Sequence, residues 1–355
     1  MVAELRTLRV LVVDDSTLNR RALTSLLEEN AGVEVVGNAS DGDEALRMVA
    51  SLSPDLITLD LEMPRMDGFT FLRLLMASRP TPVIVVSSHS AKDNVFRALE
   101  LGAIDFIAKP EQVLTGKIED VRGQMANMVA MIRQLAPAGA SRARRPPTAE
   151  AEVDKAMTPR PATAWPSPVV VIAASTGGPT ALLELFSQLP GKSDAAIVVA
   201  QHMPDRFTKA FAERLNRISA FEVSEAVTRE VLAPGKALVC PGGRVIELSR
   251  GPRGFIASVS EPASDDRYAP SADRLFQSAA RAVGNQLVGV VLTGMGDDGA
   301  AGVVEIEKKG GYVLAESEES AVVYGMPRAA EQTGAVEAVL PLGDLIGRLA
   351  TTLAE

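Results

Sequence analysis

Cysteine is almost absent: the chain of 355 residues has one, Cys240, which leaves no partner for an internal disulfide and fits a reducing compartment. Neither Cys-x-x-Cys nor His-Glu-x-x-His occurs, so a zinc site has no support. Histidine is nearly as scarce, with 2 in the chain, and little therefore competes with His202 for acid–base work. Long apolar runs are missing too. None approaches the roughly 18 to 20 residues that cross a bilayer, and the N-terminus meets Asp14-Asp15 too early for a signal peptide. Positive charge is not in excess: 36 Lys and Arg against 45 Asp and Glu leave a net charge of −9. A chain built to hold nucleic acid or anionic lipid needs clustered cations, so neither partner is expected. These absences describe a cytoplasmic protein with no membrane insertion, for which a monomer is the default.

What is present is organised around Val169-Val170-Val171-Ile172-Ala173-Ala174-Ser175-Thr176-Gly177-Gly178-Pro179. A β-branched run of strand length stops at a serine, and glycines and a proline lead into a helical stretch from Thr180 to Leu189. Two later runs end alike: Ala196 to Ala200 runs into Gln201-His202, and Val288 to Leu292 into Thr293-Gly294-Met295-Gly296-Asp297-Asp298-Gly299. In open α/β sheets ligands bind beyond the carboxyl ends of the strands, where such turns converge. A hydroxyl becomes a nucleophile at neutral pH when an imidazole takes its proton and a carboxylate orients that imidazole. Ser175, His202 and the Asp297-Asp298 pair supply those groups, and the Gly-rich turn at Met295 can aim backbone N–H groups at an oxyanion. Taken singly the elements are ambiguous. Ser-Thr-Gly-Gly also suits a phosphate cradle at a helix N-terminus, and Gly-Asp-Asp-Gly suits a plain turn. A module that binds a nucleotide or partner through the Ser175 turn is accordingly the alternative to an enzyme. Transcriptional output finds no helix-turn-helix or basic recognition surface in the C-terminal half.

The length corresponds to about two domains. Residues 1–135 alternate strand candidates (9–13, 33–37, 56–59, 83–86, 104–107) with helical stretches (17–29, 43–51, 68–77, 92–101), a doubly wound (βα)5 pattern with a parallel sheet. Polar residues again collect at strand ends: Asp14 and Asp15, Asp60, Ser87, then Lys109-Pro110. Three carboxylates brought together repel and raise one another's pKa, so the cluster calls for a hard divalent cation, Mg²⁺, and an ammonium nearby.

Residues 136–167 change composition to Pro, Ala, Arg and Thr without apolar period and read as a semi-extended linker. Its Arg142, Arg144 and Arg145 read as solvated charge, and Trp165 as a dock for the linker's end. Residues 168–355 read as a mostly parallel α/β sandwich with an antiparallel β flap. Helices are expected at 206–218, 300–309, 321–332 and 342–354, and one opened by Ser271 as N-cap in Tyr268-Ala269-Pro270-Ser271-Ala272-Asp273. Strands are expected at 236–240, 244–248, 254–259 and 312–315, with Gly242-Gly243 as a hairpin turn at the sheet edge.

The order Asp14-Asp15, Asp60, Ser87, Phe106 and Lys109-Pro110 resembles the receiver domain of two-component response regulators over about the first 130 residues. That resemblance implies that Asp60 accepts a phosphoryl group from a histidine kinase. It implies that Asp14 or Asp15, together with Asp60 and the Glu62 carbonyl, holds Mg²⁺, that Ser87 and Lys109 contact the phosphoryl oxygens, and that Phe106 is the switch aromatic. A receiver followed by Ala174-Ser175-Thr176-Gly177-Gly178-Pro179, Gln201-His202-Met203-Pro204 and Leu292 to Gly299 resembles the chemotaxis protein-glutamate methylesterases. The family implies phosphorylation-activated hydrolysis of glutamyl methyl esters on cytoplasmic helices of methylated chemoreceptors, and deamidation of glutamines there. By the same resemblance Ser175 is the nucleophile, His202 the base and Asp298 the orienting carboxylate. The Met295 N–H serves the oxyanion, Thr176 lines the site, and ester hydrolysis needs no cofactor.

Overall fold

The computed structural model describes residues 6–87, 92–109, 118–135, 168–190, 193–252 and 254–354. The proposed linker at 136–167, with Trp165 and its arginines, lies outside the described residues, as does Pro110. The chain forms two compact units that divide after Pro147. No helix among the described residues is long and apolar enough to cross a membrane.

In the first unit the strands are β1 (Leu8–Val13), β2 (Val33–Ala39), β3 (Leu56–Leu59), β4 (Val83–Ser87) and β5 (Asp105–Ala108). They alternate with α1 (Thr17–Glu28), α2 (Gly42–Leu52), α3 (Gly68–Ser78), α4 (Lys92–Glu100) and α5 (Ile118–Leu135). β3 and β4, apolar apart from Thr58 and Ser87, are buried along their whole length, as strands should be when helices cover both faces of a sheet. Short polar residues start three of the helices. Ser16, Asp41 and Asp67 each accept a bond from the backbone N–H three residues on, which satisfies a donor the helix itself leaves open. The strands run parallel in the order β2-β1-β3-β4-β5, so their carboxyl ends share one edge.

The second unit opens with β6 (Val169–Ala174), α6 (Gly178–Gln188), β7 (Ala196–Gln201), α7 (Asp205–Ile218), β8 (Glu222–Glu225), β9 (Arg229–Val231) and β10 (Lys236–Val239). It continues with β11 (Val245–Gly251), β12 (Gly254–Ser260), α8 (Ala272–Val283), β13 (Leu287–Val291), α9 (Ala300–Lys308), β14 (Tyr312–Glu316), α10 (Met326–Gln332), β15 (Ala338–Leu340) and α11 (Leu342–Ala354). Seven strands form a parallel sheet, β15-β14-β13-β6-β7-β10-β8, and the flap is a separate antiparallel sheet, β11-β12-β9. The chain leaves β6 toward β7 on one side and later returns to β13 on the other. β6 is thus the switch point, where open sheets of this kind place their ligands.

Several expectations need correction. Gly242-Gly243 does not turn a hairpin, because β10 and β11 belong to different sheets. A Cβ on Gly242 would lie 2.3 Å from the Asp205 nitrogen, so glycine is there to let the chain cross the start of α7. The hairpin of the flap is instead β11–β12, closed where Gly251 pairs with Gly254. The helix expected from residue 321 begins at Met326, because the preceding residues bond elsewhere. Val323 donates to Thr293 Oγ1 at 2.9 Å and accepts from the Gly294 amide at 3.0 Å. The three- and four-residue strands β8, β9 and β15 are too short to carry a readable period.

Val169, Val171 and Ala173 of β6 share a core with Leu275 and Phe276 of α8 and Val303 and Ile306 of α9. α8 and α9 approach closely through Gly302, whose hypothetical Cβ would sit 2.4 Å from that of Phe276. Phe276→Ala should therefore leave a cavity costing the second unit about 3 to 5 kcal/mol, read as a lower urea midpoint for that unit with the first unit's unchanged.

Candidate active site

Parallel register brings the strand ends together. Ala174 of β6 pairs with Gln201 of β7, and Ala173 pairs with Val291 of β13. Ser175, His202 and the Thr293 turn consequently emerge side by side.

The Ser175 turn is tied down from its neighbours. Its amide donates to the Thr293 carbonyl at 3.0 Å, while its own carbonyl accepts from Gly178 N at 2.8 Å and from Gln201 Nε2 at 2.9 Å. Gln201 Nε2 also donates to the His202 carbonyl at 3.0 Å, so one amide holds both backbones. Gly177 caps α6 with φ +75°, and a Cβ there would stand 2.6 Å from Val322 Cβ. A side chain fits neither that conformation nor that space. Gly294 is as constrained: its Cβ would lie 2.8 Å from Ser175 Cβ. Among the described residues the backbone N–H groups of Thr176 and Met295 make no hydrogen bond to a backbone acceptor.

His202 Nε2 meets Asp298 Oδ2 at 2.8 Å. Asp298 is 2 % exposed, and donors surround it. It accepts from Ala272 N at 2.7 Å, Asp273 N at 2.9 Å and Ser271 Oγ at 3.4 Å, all at the N-terminus of α8, where the helix dipole favours an anion. Burial pushes this carboxyl's pKa up, but the imidazole bond, the imidazole's charge and the two amides outweigh it and hold it below the ordinary 3.8. An ionised carboxylate can only accept, so Nε2 carries the proton and Nδ1 is left as the basic nitrogen. No hydrogen bond joins the Ser175 and His202 side chains among the described residues. Such bonds are often long before substrate arrives.

Asp297 turns elsewhere, bonding Tyr268 Oη at 3.2 Å and Arg267 Nη1 at 3.4 Å. Of the adjacent pair it is Asp298 that reaches the imidazole.

In the first unit Asp14, Asp15 and Asp60 each place a carboxylate oxygen within 4.8 Å of the others, a hard-oxygen set suited to Mg²⁺. Lys109 Nζ lies 2.5 Å from Asp60 and 3.1 Å from Asp14. Burial raises the Asp60 pKa against the pull of Lys109. Burial also opposes the Lys109 charge, but the bond to Asp60 and the two carboxylate charges hold its pKa above the ordinary value. Ser87 is buried at the end of β4, and its carbonyl accepts from the Lys109 amide at 2.7 Å. Phe106 is buried edge-on to Phe96 of α4, their centroids 6.2 Å apart. The Glu62 amide donates to Asp60 Oδ1 at 3.3 Å.

Reading the sequence did not single out four residues that hold this geometry. Glu316 ends β14 fully buried and accepts from Thr293 N at 2.9 Å. Its position at a strand end was the available signal. Asp273 Oδ1 accepts from Gly299 N at 3.1 Å and Gly302 N at 2.7 Å, bracing α9 against α8. Gln201 and Tyr268 carried no signal beyond their motifs. Tyr268 stacks on His202 with ring centroids 5.0 Å apart.

Residues 170–349 match the family model of the CheB methylesterase, and residues 10–119 that of the response regulator receiver domain. The chain is 50% identical over 348 residues to protein-glutamate methylesterase/protein-glutamine glutaminase 6 of Anaeromyxobacter dehalogenans (strain 2CP-C), with 97% of this chain and 95% of the relative aligned. It is 48% identical over 356 residues to the enzyme numbered 3 of Geobacter sulfurreducens, covering 95% of each. Among solved structures, the Thermotoga maritima CheB methylesterase catalytic domain is similar at TM-score 0.51 and 34% identity, covering 52% of this chain and 98% of that one.

A serine-directed fluorophosphonate is expected to label Ser175, with the label lost in His202→Ala and its formation slowed by up to about 10⁴-fold in Asp298→Asn. Mass spectrometry of the labelled peptide checks the site. The lowered Asp298 pKa also sets a sign. The folded state favours the ionised carboxylate, so its contribution to stability is complete above the unfolded value and drains away as pH falls through the lower folded one. Urea midpoints measured from about pH 5 down to about pH 2 should fall less steeply in Asp298→Asn than in the parent.

Proposed function

The chain belongs to the CheB methylesterase family, and on that premise we propose that it hydrolyses protein glutamyl methyl esters, and deamidates protein glutamines, under control of phosphorylation at its receiver domain. It is a carboxylic ester hydrolase of a chemosensory pathway. The observation that carries the chemistry is the 2.8 Å contact of His202 Nε2 with buried Asp298, one strand away from the Ser175 turn.

In the proposed reaction Ser175 Oγ gives its proton to His202 Nδ1 and bonds to the ester carbonyl carbon of a methylated glutamyl side chain. Asp298 keeps the imidazole in the tautomer with Nε2–H and stabilises the imidazolium. The tetrahedral oxyanion is held by the Met295 and Thr176 N–H groups. On collapse the C–O bond to the methoxy group breaks, the imidazolium returns the proton, and methanol leaves. Water, deprotonated by the same imidazole, then attacks the acyl-serine; as the C–Oγ bond breaks the imidazolium returns that proton to Oγ, restoring Ser175, and the glutamic acid released ionises to its carboxylate. Glutamine follows the same course with ammonia as the leaving group. None of these steps calls for a metal.

The control site is Asp60, which takes a phosphoryl group from a histidine kinase. Asp14, Asp15, Asp60 and the Glu62 carbonyl are the proposed Mg²⁺ ligands, and the ion neutralises phosphoryl charge when bound. Lys109 and Ser87 bond the phosphoryl oxygens, and Phe106 reports the change. The substrates are methylated chemoreceptors, met at their cytoplasmic helices by a cytoplasmic enzyme.

Methanol release from methylated receptor tests both parts. Ser175→Ala should lower the rate by about 10⁴-fold or more while leaving Asp60 phosphorylation intact. A small-molecule phosphodonor with Mg²⁺ should raise the parent rate, and chelation should abolish that rise but spare basal hydrolysis. Asp60→Asn should behave as the chelated parent. Wild-type methanol release by Ser175→Ala would overturn the assignment of the nucleophile.

A further inference from the structure

One hydrogen bond fixes the direction of an imidazole but not its plane, since the ring can still twist about the N–H···O axis. At His202 something else faces the ring. Tyr268 lies flat against it, with centroids 5.0 Å and planes 9° apart. The tyrosine is itself anchored: Oη donates to Asp297 Oδ1 at 3.2 Å, and the Arg267 guanidinium stands 5.3 Å from the ring centroid and 3.4 Å from Asp297 Oδ2. Gly296 makes room for that hydroxyl, because a Cβ there would come within 2.8 Å of Oη. Four and five residues after Tyr268 the same segment supplies the Ala272 and Asp273 amides that hold Asp298.

We propose that Tyr268 is a positioning residue for the hydrolysis: anchored by Asp297, its ring holds the plane of the His202 imidazole, so that Nδ1 stays aimed at the Ser175 turn while Nε2 stays on Asp298. The two adjacent aspartates then divide the work. Asp298 sets the edge of the imidazole directly, and Asp297 sets its face through Tyr268. The electron-rich face of a phenol ring also favours the imidazolium that forms when Ser175 gives up its proton. Among the described residues the charged or ionisable groups facing the imidazole are Asp298 and Tyr268, with Asp297 and Arg267 behind the tyrosine and Asp273 behind Asp298. The inference rests on the esterase reading, but half of its test needs no substrate.

The experiment uses the full chain. Rates of methanol release are measured for Tyr268→Leu, Tyr268→Phe, Asp297→Asn and the Tyr268→Phe/Asp297→Asn double variant. The imidazole is titrated by NMR in a His89→Gln background, where the 2 histidines of the chain are reduced to His202 alone. Tyr268→Leu is expected to lower kcat about tenfold with KM unchanged, and to move the imidazole's titration midpoint down as the ring face is lost. Tyr268→Phe and Asp297→Asn keep the stack and lose one hydrogen bond, so each should cost about threefold, and the double variant no more than either alone. Wild-type kcat with an unmoved midpoint in Tyr268→Leu would overturn the proposal. So would a raised KM at unchanged kcat, which would make Tyr268 a substrate contact. Should the parent chain release no methanol at all, the esterase reading fails, and the titration still decides whether Tyr268 holds the ring.

Discussion

A carboxylate taken out of water must be met by donors, and the neighbourhood of Asp298 is built around that requirement. Left unpaired, a charge at 2 % exposure would take up a proton or unfold its surroundings. Here the first turn of α8 provides two amides and a hydroxyl, and the imidazole of His202 provides the fourth donor. The placement of α8 then governs much else. Asp273, one residue into the same turn, accepts from Gly299 and Gly302 and so fixes α9, the helix that follows Asp298 in the chain. Phe276, a turn further along, fills the space between these helices and β6. The anion, the helix that holds it and the core beneath are a single packed arrangement.

The two units solve different chemical problems with one geometric device. A parallel sheet delivers every carboxyl end to the same edge, whatever the distance in sequence. In the first unit that edge gathers carboxylates and an ammonium, and the balance is electrostatic: Asp60 is raised by burial, and Lys109 is kept charged by the acids it neutralises. In the second it gathers an alcohol, an imidazole and a carboxylate, and the balance is one of proton ownership. Desolvation acts on both Asp60 and Asp298. The outcome differs because at Asp298 the His202 bond and charge, joined by two backbone amides, outweigh burial, whereas at Asp60 burial, joined by the neighbouring acid Asp14, outweighs Lys109 and the single Glu62 amide.

Much of this was readable in advance because strand-end chemistry is written locally. The buried runs 56–59, 83–86 and 169–174 carry their own β signal, and the polar residue after each is conspicuous because it interrupts that run. The interrupting residues Asp60, Ser87 and Ser175 were accessible for that reason. Gly242-Gly243 misled because a glycine pair marks any place where Cβ is unwelcome. A hairpin turn and a chain crossing over Asp205 leave the same trace. Tyr268 and Gln201 were illegible for another reason: a stacked ring or a bridging amide acts across space and leaves no periodicity behind.

The amino-acid order alone determined the class of each unit, the edge at which chemistry occurs and the residue types available there, since these follow from run length, alternation and the residue that ends each run. It left open which of Asp297 and Asp298 meets the imidazole, which imidazole nitrogen faces the acid, and what holds the ring's plane. Those were decided only when α8, distant in sequence from both His202 and the Ser175 turn, packed its first turn against the Asp298 loop. Direction and donor geometry at an anion depend on atoms brought together by folding, and neighbours in the chain, such as Asp297 and Asp298, can be turned to opposite tasks by a single backbone step.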